Sequence, residues 1–258
     1  MSPSDRLWSR RFGLITLAAV VGIAVTASLG FWQLGRADTK LALQAAREAQ
    51  EAASPLTADA LGQSIDADTG SVHPDALHRR IVLRGEWLAA HTRFLDNRQM
   101  QGRPGFFVVT PLKAEGLAQP VLVQRGWVPR NFQDRTALPE VDTPSGVVSI
   151  EGRVAGLPSK LYEMAGGPAQ EGASRIRQNL DLETFRSETG LSPLPLSVVQ
   201  TGHPSEGLLR EWPAVATGVD KHYGYAFQWF GLSALIALLY VWFQLVRRFI
   251  RPRRDPAA

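Results

Sequence analysis

The sequence contains no cysteine. That excludes disulfides, thiolate zinc sites, iron–sulfur clusters and a thiolate copper carrier. Methionine is nearly as scarce. Only Met100 and Met164 follow the initiator, too few for a methionine-rich copper site. The common catalytic signatures are missing too: there is no Walker loop, G-x-G-x-x-G, G-x-S-x-G elbow, S-x-x-K or H-E-x-x-H. The five histidines (His73, His78, His91, His203 and His222) include no i, i+4 ligand pair, and the acidic residues are scattered. An enzyme is therefore not expected. The first four histidines sit in polar or turn contexts and read as solvated.

Charge is also absent from two long stretches. Residues 12–34 and 223–246 are uncharged runs of 23 and 24 residues. A transmembrane helix needs roughly 20 predominantly apolar residues, and lipid leaves free backbone groups no partner, so each run reads as a spanning helix. The formal net charge is +4, which by itself suggests nucleic acid or an acidic surface. Its distribution points to a membrane and not to nucleic acid. Residues 1–34 and 223–258 hold eight bases and two acids, which leaves 20 bases against 22 acids between them. The basic clusters lie just before the first run and just after the second, so the positive-inside rule puts both ends in the cytoplasm. The expected organisation is a cytoplasmic tail at 1–11, a first span at 12–34, a periplasmic domain at 35–222, a second span at 223–246 and a cytoplasmic tail at 247–258. This is the arrangement of a bacterial inner-membrane, multi-pass protein in contact with lipid.

A cleaved signal competes for the first run, since Ser9-Arg10-Arg11-Phe12 resembles a twin-arginine signal. The run is longer than the ~7–15 residues of a signal core and ends in the interfacial pair Phe31-Trp32, which favours a retained anchor. Small residues on this helix, either Ala18, Gly22 and Ser28 or Ala19, Gly22 and Gly30, mark a close-packing face for another helix. That helix is the second span of the same chain or one of a partner.

Between the spans the pattern is mostly strand. Lys40–Ala53 continues in helix formers, and Thr57–Ile65 suits a short helix. Period-two or apolar strands follow at 81–87, 92–97, 106–112, 121–128, 147–154, 175–179 and 194–200, with a turn region at 97–105. A helix at 181–189 takes Asp181 as its N-cap and Gly190 as its stop. The fold class expected is a membrane protein with two transmembrane α-helices flanking an extramembrane α+β domain, built on an antiparallel sheet or small β-barrel.

His222 stands apart from the other histidines because it lies where the chain enters the second span. On a helix His222, Tyr225, Ala226 and Trp229 fall at i, i+3, i+4 and i+7, and so share a face. An interfacial belt accounts for the aromatics better than for the histidine. Ionisable groups at such depths tend to be functional.

Four blocks of sequence, in order, resemble the Surfeit-locus-1 family of assembly factors for haem-copper cytochrome oxidases. They are Leu29-Gly30-Phe31-Trp32-Gln33-Leu34-Gly35-Arg36 with Lys40; Arg80, Gly85, Arg98, Gly102, Gly105, Thr110 and Pro111; Val123-Gln124-Arg125-Gly126-Trp127-Val128-Pro129; and His222-x-x-Tyr225-Ala226-x-x-Trp229. Gln124 stands where the family often has Asn. Asp220 departs from the common neighbour of the histidine and leaves the capping of that helix open.

The resemblance implies a chaperone of respiratory complex IV biogenesis. It would bind haem a transiently and assist its insertion into cytochrome c oxidase subunit I, with haem a synthase as a further partner and no nucleic acid. It implies an iron-ligand role for His222 only. The chemistry of the neighbouring residues adds Tyr225 and Trp229 to line the ring below it, and Trp32 and Arg36 as the remaining expected contacts of the cofactor. Lys40 and Lys221 are further candidates to pair with the propionates, and lipid headgroups compete for all three cations. A structural scaffold that steadies subunit I without carrying haem is the alternative. The cytoplasmic tails are too short to hold the domain of a sensor. The Arg125–Pro129 block reads first as a strand end with Trp127 in the core, and second as a docking surface.

Overall fold

The computed structural model describes residues 10–66, 69–131, 133–134, 137–161, 175–213 and 218–247. The chain divides into two compact units, Met1–Ala45 with Ala216–Ala258, and Ala46–Val215.

The first unit contains most of α1 (Arg10–Ala52), together with α4 (Val219–Tyr240) and its π-helical continuation Val241–Val246. Both helices are long and apolar enough to cross a membrane. At 1.5 Å per residue, the uncharged part of α1 extends about 35 Å against a hydrocarbon core of about 30 Å. The less exposed positions of α1 include Phe12, Thr16, Ala19, Ile23, Thr26, Gly30, Gln33 and Ala37, which alternate steps of four and three. On α4 they include Val219, His222, Ala226, Trp229, Ser233, Ile236 and Tyr240, with the same alternation. This is the seam of a two-helix coiled coil.

The two helices run antiparallel. Tyr240 Oη lies 2.9 Å from Thr16 Oγ1, Ser233 Oγ donates to the Ile23 carbonyl at 3.4 Å, and Phe31 packs edge-on against Phe230 at 5.1 Å. A Cβ on Gly30 would fall 2.7 Å from the Phe230 ring, and one on Gly22 would fall 3.5 Å from Ile236. The set Ala19, Gly22 and Gly30 therefore faces the chain's own second helix, while Ala18 and Ser28 are exposed. Gly218, at φ 58°, caps α4 through its backbone conformation alone, with Asp220 in the first turn. This answers the capping question that Asp220 raised.

The second unit is built on a seven-stranded mixed sheet in the order β1-β5-β7-β4-β3-β2-β6. The strands are β1 (Arg80–Trp87), β2 (Arg93–Met100), β3 (Arg103–Ala114), β4 (Val121–Pro129), β5 (Val147–Ala155), β6 (Ile176–Arg177) and β7 (Ser197–Gln200). The expectation of a purely antiparallel sheet is corrected by two pairings, since β4–β7 and β2–β6 are parallel. Neither pair is consecutive in the chain: β5 and β6 intervene between β4 and β7, and β3, β4 and β5 between β2 and β6.

β1 pairs with β3 as well as β5, so the pairings run from β1 through β5, β7, β4 and β3 back to β1. Gly85 makes the β1–β3 contact possible, because a Cβ there would overlap the Lys113 backbone. Two expected strands are shorter than the sequence suggests: 194–196 lies outside β7, and Arg175, Gln178 and Asn179 lie outside β6. The region 97–105 is mostly strand. Only Gln101 and Gly102, both at positive φ, form the turn, as a two-residue type I′ hairpin requires.

The core alternates as period two predicts. Ile81, Leu83 and Trp87 point inward from β1 to meet Leu112, Val123, Ile150 and Val198. Two short helices accompany the sheet, one before β1 and one between β6 and β7. α2 (Ala58–Gln63) has its N-cap at Thr57, and α3 (Leu182–Thr189) is capped by Asp181 and stopped by Gly190 at φ 70°.

Candidate functional site

His222 lies one turn inside α4, on the helix–helix seam, and not at the free end of a span as its sequence position suggested. Its ring is half-buried, and its Nδ1 lies 2.7 Å from Gln33 Oε1 of α1. No hydrogen bond reaches Nε2 among the described residues. Ala226, 2 % exposed, lets α1 approach one turn further along, and Trp229 is half-buried below it. The expected shared face holds for His222, Ala226 and Trp229. Tyr225 sits at its edge and is 52 % exposed.

Trp32 and Arg36 follow one another at i, i+4 on α1, beside the seam and facing outward. Trp32 is 57 % exposed and borders a groove with Ala24, Val25, Ser28 and Leu29. Arg36 is exposed and makes no hydrogen bond or ion pair among the described residues. The structure therefore brings His222 and Trp229 together. Trp32, Arg36 and Tyr225 remain as outward-facing aromatic and cationic groups.

The donor set suits a haem. Imidazole nitrogen is a common axial ligand, so His222 Nε2 would hold the iron, with Trp229 beside the ring. The Arg36 guanidinium, without a partner among the described residues, is the chemistry a propionate would take. Among the described residues no group of three His, Asp or Glu side chains could hold a bare metal ion.

Sequence reasoning missed Gln33. It lies inside the first matching block but was not among the expected contacts. The signal was its spacing, since it is the one amide on the α1 seam in register with the histidine.

The Gln124–Pro129 block is architectural. A bulge in the β3–β4 ladder leaves Arg125 unpaired between Gln124 and Gly126 and turns it inward. Arg125 is fully buried. It donates to Thr143 Oγ1 (2.8 Å), the Asp142 carbonyl (2.7 Å) and Glu206 Oε2 (2.8 Å). Arg210 donates to the same carboxylate oxygen at 3.4 Å and to the Arg125 carbonyl at 2.8 Å. Burial lowers the affinity of the Arg210 guanidinium for its proton, and Glu206 opposes that shift.

Trp127 is 1 % exposed and donates to the Arg98 carbonyl at 2.9 Å. A Cβ on Gly105 would strike the Trp127 ring, and one on Gly126 would fall 2.7 Å from the Leu209 carbonyl. Arg98 is buried beside a second bulge, donates to Ser159 and the Gln178 carbonyl, and has its pKa lowered by burial. Among the other histidines, His73 and His203 are exposed, whereas His78 and His91 are half-buried. Burial, then Arg47 and Arg153, hold His78 below its ordinary pKa.

Fold and site together define a class: a mixed β domain flanked in sequence by two helices of membrane-crossing length, with a histidine on the helix seam. The description SURF1 family matches residues 20–234, and the chain belongs to that family. The SURF1-like protein of Rickettsia bellii is 23 % identical over 230 residues, covering 87 % of this chain and 88 % of that one. Surfeit locus protein 1 of Rattus norvegicus is 27 % identical over 252 residues, covering 88 % and 73 %. Cytochrome oxidase assembly protein SHY1 of Saccharomyces cerevisiae is 31 % identical over 100 residues, which is 39 % of this chain and 24 % of that one. The SURF1 relatives are assembly factors and not enzymes, in line with the missing catalytic signatures.

Proposed function

We propose that this protein is an inner-membrane assembly factor for haem-copper cytochrome oxidase, and that it holds haem a on His222 before the haem enters subunit I. Family membership supports the assembly role, and a relative bears the name of an oxidase assembly protein. The observation that supports the haem reading is the half-buried His222 ring, whose Nε2 has no hydrogen-bond partner among the described residues, beside Trp229 on a helix pair of membrane-crossing length.

In this reading α1 and α4 cross the bilayer, both tails are cytoplasmic, and the β domain is periplasmic with its circuit of strands as a small barrel. Haem a is cargo, whose iron accepts a nitrogen lone pair. His222 offers Nε2, Trp229 and Tyr225 offer aromatic surface, and Trp32 and Arg36 offer an edge and a charge for the propionates. One protein ligand holds haem less firmly than two, which suits release to subunit I, with haem a synthase as the source upstream.

Deleting the gene in a host that depends on a haem a oxidase tests the assembly role. The expected result is oxidase with a lowered ratio of haem a to subunit I, restored by the wild-type chain and not by His222→Ala. Normal haem occupancy in the deletion strain would overturn it. Full rescue by His222→Ala would favour the scaffold reading.

A further inference from the structure

We propose that Gln33 is a positioning residue for His222, one that fixes the imidazole tautomer in which Nε2 carries the free lone pair. The inference rests on the reading of His222 as the haem ligand, but its first test does not need haem. The atom facing Nδ1 at 2.7 Å is Gln33 Oε1. An amide oxygen only accepts, so Nδ1 is the donor, and a neutral ring protonated at Nδ1 leaves Nε2 bare. In water the neutral ring favours the opposite tautomer, with the proton on Nε2 and the lone pair on Nδ1. The contact therefore works against the intrinsic preference of the ring.

Metal-ligating histidines commonly donate their other N–H to an oxygen, which sets both the tautomer and the ring plane. Here the acceptor is neutral, so it orients the ring without pulling the proton away as a carboxylate would. The geometry is held from both sides. Gly30, three residues before Gln33, lies against Phe230, and Ala226, four residues after His222, is buried on the seam.

A structural role is the competing account. Interhelical hydrogen bonds in bilayers are individually weak, and a bond of that kind would hold the helices together without regard to the tautomer. The two accounts differ in what Gln33→Leu and Gln33→Glu do to the ring.

The experiment is 15N NMR of the full chain, labelled at histidine, free of haem, in lipid nanodiscs at pH 8, where an ordinary histidine with pKa near 6.5 is neutral. It is followed by haem a titration of the same samples. The expected result is His222 mainly protonated on Nδ1 in the wild type and mainly on Nε2 in Gln33→Leu. Haem affinity should fall about 10- to 100-fold in Gln33→Leu, the usual range for losing such a partner. Gln33→Glu should keep the Nδ1 proton and the haem, and shift the reduction potential downward as the ring becomes a stronger donor.

An Nε2-protonated wild type overturns the proposal, and so does a Gln33→Leu variant with unchanged tautomer and haem affinity. If Gln33→Leu misfolds, a Gln33→Glu variant with unaltered potential overturns it. If the wild type shows the Nδ1 proton and Gln33→Leu loses it while neither binds haem, the role of Gln33 stands and the haem reading fails.

Discussion

The guanidinium of Arg125 lies 4.7 Å from the centre of the Trp87 ring, with both residues inside the β domain. Arg125 Nε and Trp87 Nε1 have no hydrogen-bond partner among the described residues, so stacking on the ring takes up one face of a charge that Glu206 shares with Arg210. Glu206 serves two arginines, Arg125 and Arg210. Its removal strands both charges in a site where Arg125 is fully buried.

Breaking a buried pair by deleting one partner costs about 3–5 kcal/mol. Glu206→Ala should therefore destabilise the β domain by roughly that amount, measured by denaturant unfolding of the full chain in detergent. Glu115→Ala, at an exposed pair with Arg84, should cost less than about 1 kcal/mol. Equal effects would mean that the buried network does not hold the fold.

Gly30 and Phe230 set the spacing of the helix pair. Gly30→Leu should push α1 and α4 apart, because even a Cβ falls 2.7 Å from the ring. A bis-maleimide cross-link between Thr16→Cys and Tyr240→Cys, which spans the gap left by the shortened tyrosine where the native hydroxyls meet at 2.9 Å, reports the pairing in membranes. Cross-linking should drop in Gly30→Leu and recover when Phe230→Ala is added. Efficient cross-linking in Gly30→Leu alone would contradict the close approach.

Acid should loosen the β domain through Glu188. Burial alone would raise its pKa, but hydrogen bonds from Arg177 (2.6 Å) and Arg93 (3.0 Å) outweigh burial and hold it below the ordinary value. A carboxyl with a depressed folded pKa contributes stability above the unfolded value of about 4.3 and loses it as pH falls through the folded value. Glu188→Gln should be less stable than wild type at pH 7, and the gap should narrow as pH falls below about 5 and through the depressed folded value. A gap independent of pH would remove Glu188 as the group responsible.

The proposed topology puts both basic termini in the cytoplasm, as the positive-inside rule favours. Reporter fusions after Ala53 and at the C-terminus should read as periplasmic and cytoplasmic respectively. A periplasmic C-terminus would reverse the orientation, and His222 would then lie near the cytoplasmic surface.

Much of the fold could be read along the chain because it depends on local rules. β1 alternates cleanly, Asp181 and Gly190 bracket α3, and two uncharged runs give two helices. The parts that escaped depend on partners far along the chain. Nothing local in Ser197–Gln200 says that it pairs parallel with β4, which is some 70 residues earlier. Asn97 and Gly102 read together as one turn, but Asn97, at φ 59°, makes a bulge within a continuing strand. Arg125 was legible only as a polar residue near a strand end, because arginines are seldom fully buried. At the candidate site His222 stood out as an ionisable group beside an apolar run. Gln33 did not, since its role appears only once the antiparallel register brings residue 33 level with residue 222.

Haem a retained per molecule of purified protein tests the central claim most directly. The full chain is co-expressed with a haem a synthesis pathway, and its Soret absorbance is compared among wild type, His222→Ala and the exposed-histidine control His203→Ala. His222→Ala should keep the fold, since it gives up one interhelical hydrogen bond worth about 0.6 kcal/mol on average. The account predicts haem in wild type and His203→Ala, and little or none in folded His222→Ala. Equal haem in all three, or none in the wild type, would contradict it.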